Sequence, residues 1–253
     1  MTKEQFITQY EKAIKLRDTN STQEAITLFE EILSQVEKNP EMLTDDEVIL
    51  TEYGTLICKA LFYSDFAYAL DDSGDLKGAL QMERCALEQM SKMKNRDYLG
   101  ASYLNYSDYC MQSKDFQEAL STLQKGIDDI EKEDFKQRIE IIIGIYINTG
   151  LCNYFLGNKN EAEKYLEIAL DYLKTAKEEL NFVYEEFDQD YFEVNYFLSE
   201  IHKEKGNNSD YEKYRNETIE SASFISNNDV EYFTAIYPDE IKQKLKEFYS
   251  NSK

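Results

Sequence analysis

The chain has 253 residues, 42% of them hydrophobic and including 20 Tyr and 14 Phe, which is ample for a large core and excludes a disordered chain. Only nine Gly and two Pro occur and no run alternates strictly between apolar and polar, so the sequence predicts an all-α protein without a sheet. The net charge of −22, from 50 acidic against 28 basic residues, disfavours direct binding to nucleic acid or to an anionic membrane surface.

A turn phrase recurs along the chain. It runs from Asn20 to Ala25, from Ser73 to Ala79, from Ser113 to Ala119 and from Leu156 to Ala162, with a fifth copy from Gly206 to Tyr211. Each copy lies between two stretches of helix-period apolar residues, so each reads as the turn of a helical hairpin. Repeated hairpins stack into a solenoid. The predicted hairpins are about 3–38, 45–92, 96–131, 134–178 and 182–222, the second opening on a long helix over 45–71. Two short C-terminal helices over 229–249 complete a single domain spanning 1–253. Pro238 opens the last of them, and Ile241, Leu245 and Phe248 form its inner face, as expected of a solenoid cap.

Taking Ala25, Ala79, Ala119, Ala162 and Tyr211 as register marks, the residues twelve positions earlier are Ala13, Ala67, Ser107, Gly150 and Ser199. All are small, as close helix crossings require. Sixteen positions before the later marks stand Tyr63, Tyr103, Tyr146 and then Asn195, the tyrosines being expected to fill hairpin cores. Seven positions after the first four marks stand Ile32, Ala86, Gly126 and Ala169, three of them small.

This combination of small, aromatic and turn positions resembles the tetratricopeptide repeat (TPR) family over about residues 3–224, most closely from Ile147 to Leu170. There are departures. The marks are 54, 40, 43 and 49 residues apart, against ~34 in the family. The family's aromatic on the second helix is Phe29 in the first repeat but Glu83 in the second, and its closing proline appears only as Pro40. Related helical arrays with a period of ~40 residues stand as the second reading. The resemblance implies a right-handed superhelical solenoid of about five hairpins with a C-terminal capping helix. It also implies a groove, lined by the first helix of each hairpin, that takes an extended or helical peptide. On this register the groove comprises Ser64, Tyr68, Asn105, Asp108, Gln112, Asn148, Leu151, Phe155, Tyr196 and Glu200. Asn105 and Asn148 occupy the same place in successive repeats. Their carboxamides can donate to and accept from a peptide backbone, so they form a candidate clamp, the alternative being two solvated helix-face residues. The Lys, Arg and Asn set with which chaperone-tail TPR domains grip a C-terminal carboxylate is missing, since Ser64, Tyr68, Gly144 and Asn148 stand in its places. Acidic chaperone tails are therefore not expected as ligands. The elongated repeats and groove asparagines also resemble the helical-repeat part of Gram-positive bacterial peptide-pheromone receptors. Those receptors usually add a DNA-binding or other effector module, whereas here the repeats begin almost at Met1 and no basic module precedes them.

The sequence offers little chemistry. The one histidine, His202, lies nine residues before its mark, where other repeats carry Leu70, Cys110 and Asn153, so it is expected as a packed or hydrogen-bonded core residue. Metal binding or catalysis by it needs partners the sequence does not display. No zinc pattern, calcium loop, phosphate loop or triad is present, so no metal, cofactor or enzymatic activity is expected. Cys58, Cys85, Cys110 and Cys152 form no C-x-x-C pair and are read as reduced thiols at apolar helix positions of a cytoplasmic protein. The N-terminus lacks an apolar signal core, and Ile141–Asn158 is too polar for a membrane span. The acidity reads first as a means of solubility; the sharper reading, given the dense acids at Glu185, Glu186, Asp188, Asp190, Glu193 and Glu200, is a partner bearing Lys and Arg. The expected function is a protein- or peptide-binding adaptor or scaffold, a subunit of a larger complex. The alternatives are a peptide or small-ligand sensor that changes superhelical curvature, and a homodimer formed through an aromatic groove.

Overall fold

A computed structural model describes residues 2–39, 48–50, 56–93, 96, 98–132, 138–180 and 187–252. Among them are α1 (Lys3–Asp18), α2 (Thr22–Lys38), β1 (Ile49–Leu50), β2 (Leu56–Ile57), α3 (Lys59–Asp72), α4 (Leu76–Met90), α5 (Leu99–Gln112) and α6 (Phe116–Lys132). There follow α7 (Ile139–Phe155), α8 (Lys159–Leu180), α9 (Asp188–Glu204), α10 (Asn208–Ser221), α11 (Asn227–Phe233), a 3-10 turn (Thr234–Ile236) and α12 (Asp239–Ser252). The fold is all-α and built of helical hairpins, as the repeats predict. Its contacts divide it into two compact units, Met1–Tyr109 and Cys110–Lys253.

The hairpin turns carry the register into three dimensions. Asn20, Gly74, Lys114, Gly157 and Gly206 have positive φ, 59°, 85°, 62°, 82° and 69°, and each stands five residues before its mark. The next amide then closes the preceding helix. Ser21 N donates to Leu16 O at 2.8 Å, Asp75 N to Leu70 O at 2.9 Å and Asp115 N to Cys110 O at 2.9 Å. Asn158 N donates to Asn153 O at 2.8 Å and Asn207 N to His202 O at 3.0 Å. These bonds satisfy helix-end carbonyls that would otherwise lack a partner, and the left-handed residue makes them possible. All five turns therefore share one construction, the fifth hairpin included.

In the first unit, α2 presents Ala25, Ile26, Phe29, Ile32 and Val36 along one buried stripe. An aromatic cluster fills the space between α1, α2 and α3. Phe29 stacks on Phe66 with ring centres 5.3 Å apart, and Tyr10 meets Phe62 edge-on at 5.8 Å. Ala13, Ala25, Ala67 and Ala79 are wholly buried at the crossings.

Four expectations fail in this unit. The chain contains a small antiparallel ladder, Ile49 opposite Ile57 and Leu50 opposite Leu56. The predicted helix over 45–71 therefore begins only at Lys59, with 45–47 and 51–55 lying outside the described residues. Ile57 is drawn into the aromatic core with no exposed surface, and a β-branched residue packs well in that extended conformation. Cys58 is consequently not inside a helix. It caps α3, its sulfur accepting the Leu61 amide at 3.4 Å. Tyr63 is only half-buried, because its neighbour Phe62 takes the core position, whereas Tyr103 and Tyr146 are buried as expected.

In the second unit α7 is buried on nearly every side, which accounts for its uniformly apolar sequence. It comes close to α8 at Gly150. A methyl group there would lie 2.6 Å from Leu166 Cγ and 3.3 Å from the Ala162 carbonyl, so the small residue is a condition of the crossing. All four cysteines are free. Cys58, Cys110 and Cys152 are buried and Cys85 is half-buried.

Candidate functional site

Of the groove residues in the first unit, Ser64 points inward. Its hydroxyl donates to Glu83 Oε2 at 2.8 Å, and Ser102 donates to Glu83 Oε1 at 3.0 Å. Glu83 has no exposed surface. Burial pushes its pKa up to about 7, the two hydroxyls oppose that rise, and nearby Asp65 and Asp108 add to it. Ser64 is thus a partner of this buried carboxyl and not a groove residue, because a carboxyl at that depth needs donors. Tyr68 is different, with 42% of its surface exposed. The Asn105 side chain hydrogen-bonds it, and Asp108 stands nearby, both half-buried on α5. Desolvation first, then Glu83 and Asp108, raise the Tyr68 pKa, so the phenol stays a neutral hydroxyl. The structure therefore brings together an aromatic ring, an amide and a carboxylate on α3 and α5.

The second unit gives another result. Asn148, Leu151 and Tyr196 are buried, while Gln112, Phe155 and Glu200 are half-buried. Phe155 packs on Phe116 at 4.8 Å and on Tyr237 at 5.5 Å, and Tyr196 packs on Phe248 at 5.4 Å. Lys114 Nζ donates to the Tyr237 carbonyl at 2.6 Å. The C-terminal segment thus lies on the face of α7 and α9 that was expected as an open groove. The apolar side chains explain this, since covering them removes hydrocarbon from water at about 25 cal/mol per Å². Asn105 and Asn148 share a register position but not an environment.

The acidic stretch offers only part of its charge to a Lys- and Arg-bearing partner. Asp188 and Glu193 are buried, and Asp190 is half-buried with its pKa pushed up by burial to about 7. Glu200 pairs with Lys203 at 3.2 Å. Glu185 and Glu186 lie outside the described residues.

His202 occupies the core position the register gives it, as do Leu70, Cys110 and Asn153, all buried. Its ring stacks on Tyr214 with centres 5.3 Å apart, and Nε2 lies 3.2 Å from Glu163 Oε1. Sequence reasoning missed that Glu163 and Glu167 of α8 face it. Their i, i+4 spacing was the available signal.

An open hollow between α1 and α2 is lined by amides and exposed carboxylates, among them Gln5, Gln9, Glu30 and Glu31. It holds neither the histidine nor a thiol. Among the described residues no helix is long and apolar enough to cross a membrane.

No protein-family model matches the chain. No curated protein matches it in sequence. Solved structures do share its fold. The apo form of RapI is 13% identical with a TM-score of 0.70 over 97% of this chain, which spans only 63% of RapI. The nearly identical TPR-like repeats of a Podosopora anserina protein described as a kinesin light chain are 15% identical with a TM-score of 0.60, covering 87% of this chain and 96% of theirs. BtubC (BKLC) from P. vanneervenii is 16% identical with a TM-score of 0.60, covering 84% of this chain and 76% of its own. The resemblance read from the turn, small and aromatic positions is therefore a resemblance of fold: the chain is a TPR-like helical-repeat protein.

Proposed function

We propose that this chain is a non-enzymatic, cytoplasmic scaffold that binds a protein or peptide segment rich in Lys and Arg, as a subunit of a larger complex. Binding is assigned to the α3 and α5 face of the first unit, around Tyr68, Asn105 and Asp108. The observation that carries this reading is the exposed Tyr68 ring, with the Asn105 amide and Asp108 carboxylate beside it, at positions where TPR folds present partner contacts. A tyrosine ring supplies a rigid contact area, the amide can engage a backbone, and the carboxylate favours a cationic side chain. The overall charge of −22 favours the same class of partner. A homodimer through the aromatic groove gains no support in the second unit, where Phe155 and Tyr196 already have internal partners.

The test is affinity capture from host lysate at low and moderate salt, comparing the wild type with Tyr68→Ala/Asn105→Ala. The expected outcome is one dominant partner, weakened at moderate salt and lost with the double variant. An unchanged partner set with a folded double variant sinks the assignment. A second reading, a peptide or small-ligand sensor, is supported by the C-terminal segment lying on the α7 and α9 face, which a ligand could displace. Small-angle scattering with and without a captured ligand separates the two, because a scaffold need not change shape.

A further inference from the structure

We propose that Glu163 and Glu167 of α8 and His202 of α9 form a binding site for a borderline divalent first-row metal ion, of which zinc is the type. The three side chains offer one imidazole nitrogen and two carboxylate oxygens that all lie within 4.8 Å of one another. Glu163 and Glu167 are one helical turn apart, so their carboxyls share a face. His202 enters from the neighbouring helix with 5% of its surface exposed, and its Nε2 is buried and makes no hydrogen bond. Glu163 Oε1 is 3.2 Å from that nitrogen but out of hydrogen-bond geometry. A buried polar atom without a partner is destabilising, and a metal ion held by the facing carboxylates would satisfy it.

The surroundings also fit a ligand. Tyr214 fixes the imidazole plane by stacking at 18°, and its hydroxyl reaches Glu167 Oε1 at 3.5 Å. The other ring nitrogen, Nδ1, faces Asp210 Oδ2 at 3.9 Å and Asn207 Nδ2 at 3.5 Å. Metal binding at Nε2 puts the ring proton on Nδ1, which then faces the Asp210 carboxylate at 3.9 Å and gives up the Asn207 amide as a donor to that nitrogen. Lys205 also pairs with Glu163, so an ion replaces a partly exposed ammonium there. One imidazole with two carboxylates selects zinc-like ions over magnesium and calcium, which prefer all-oxygen sites.

His202 is the chain's one histidine, so its ring C–H resonances are unambiguous in proton NMR of tag-free protein. Zinc is titrated in with magnesium in excess. The expected result is that both ring resonances shift and saturate at one equivalent. Glu167→Gln, at an exposed position that spares the core, should weaken binding at least ~10-fold, the smallest loss that even outer partners of a metal site produce. Ring resonances that stay still while zinc binds would place the ion on thiols or scattered surface acids and overturn the proposal. Shifts that excess magnesium abolishes, or that Glu167→Gln leaves unchanged, would do the same.

Discussion

The first two hairpins put opposite chemistry at the same register position. Four residues after the mark, α2 carries Phe29 and α4 carries Glu83, and neither has any exposed surface. Phe29 is enclosed by Tyr10, Phe62 and Phe66. Glu83 is enclosed by helices that offer hydroxyls, Ser64 on one side and Ser102 on the other. The repeat thus requires burial at this place and not an aromatic ring. Backbone register decides where the side chain goes, and the neighbouring helices decide what chemistry it can carry.

The strongest way to break this comparison is Phe29→Ala. It should cost ~3–5 kcal/mol, the range for truncating a large buried aromatic, read from chemical denaturation. A loss below ~1 kcal/mol would show that the cluster collapses to fill the hole and that the two hairpins differ less than their chemistry suggests. The next test concerns Glu83. Its folded pKa of about 7 lies above the ordinary carboxylate value, so the folded state holds the proton more tightly than the unfolded one. The stability linked to this group is therefore complete below the unfolded pKa of ~4.3, declines as pH rises to about 7 and is absent above it. That amounts to about 3 kcal/mol across the window. Glu83→Gln keeps an acceptor for the serines and removes the titration. The gap between variant and wild type should thus shift in the variant's favour from pH 4.5 to pH 8 by roughly that amount. Parallel stability curves would mean that Glu83 is charged in the folded state. Asp190 titrates in the same direction, and the difference between the two proteins cancels it.

The smallest effects belong to the two turns. An added methyl at Gly74 meets nothing within 4 Å, so the cost of Gly74→Ala is purely that of a positive φ. A lowered melting temperature corresponding to ~1 kcal/mol is expected. Asn20 already tolerates this conformation, so Asn20→Gly should gain roughly 0.5 kcal/mol or less. Equal responses at both sites would refute a shared turn construction.

The turns, the small crossing residues and the core place of His202 were legible because local constraints set them. A left-handed residue and a small crossing leave a mark at fixed spacing. The start of α3 was not legible, because the apolar residues around Ile49 and Ile57 suit a helix as well as a ladder and only the distant aromatic core decides. The candidate site was half legible. Tyr68 and Asn105 emerge where the register puts them, but the inward turn of Ser64 depends on Glu83, nineteen residues away on another helix. A carboxylate at an aromatic position was nonetheless a visible request for donors. The apolar face of the last helix, Phe248 included, announced a cap, but that this segment would cover Phe155 and Tyr196 had no local signal, since Tyr237 and Phe248 come from far along the chain.

The bond from Lys114 to Tyr237 spans 123 positions. Repeat arrays normally assemble by nearest-neighbour contacts, so their folding can proceed piece by piece from any point. This tie closes a long loop instead, and its entropic cost is met only when both ends are in place. During synthesis the second unit can form hairpins as they emerge, yet it reaches its final packing only after the segment containing Tyr237 has left the ribosome. Until Tyr237 and then Phe248 have emerged, Phe155 and Tyr196 lack that cover, and a nascent chain in that interval presents an apolar surface for chaperones to hold.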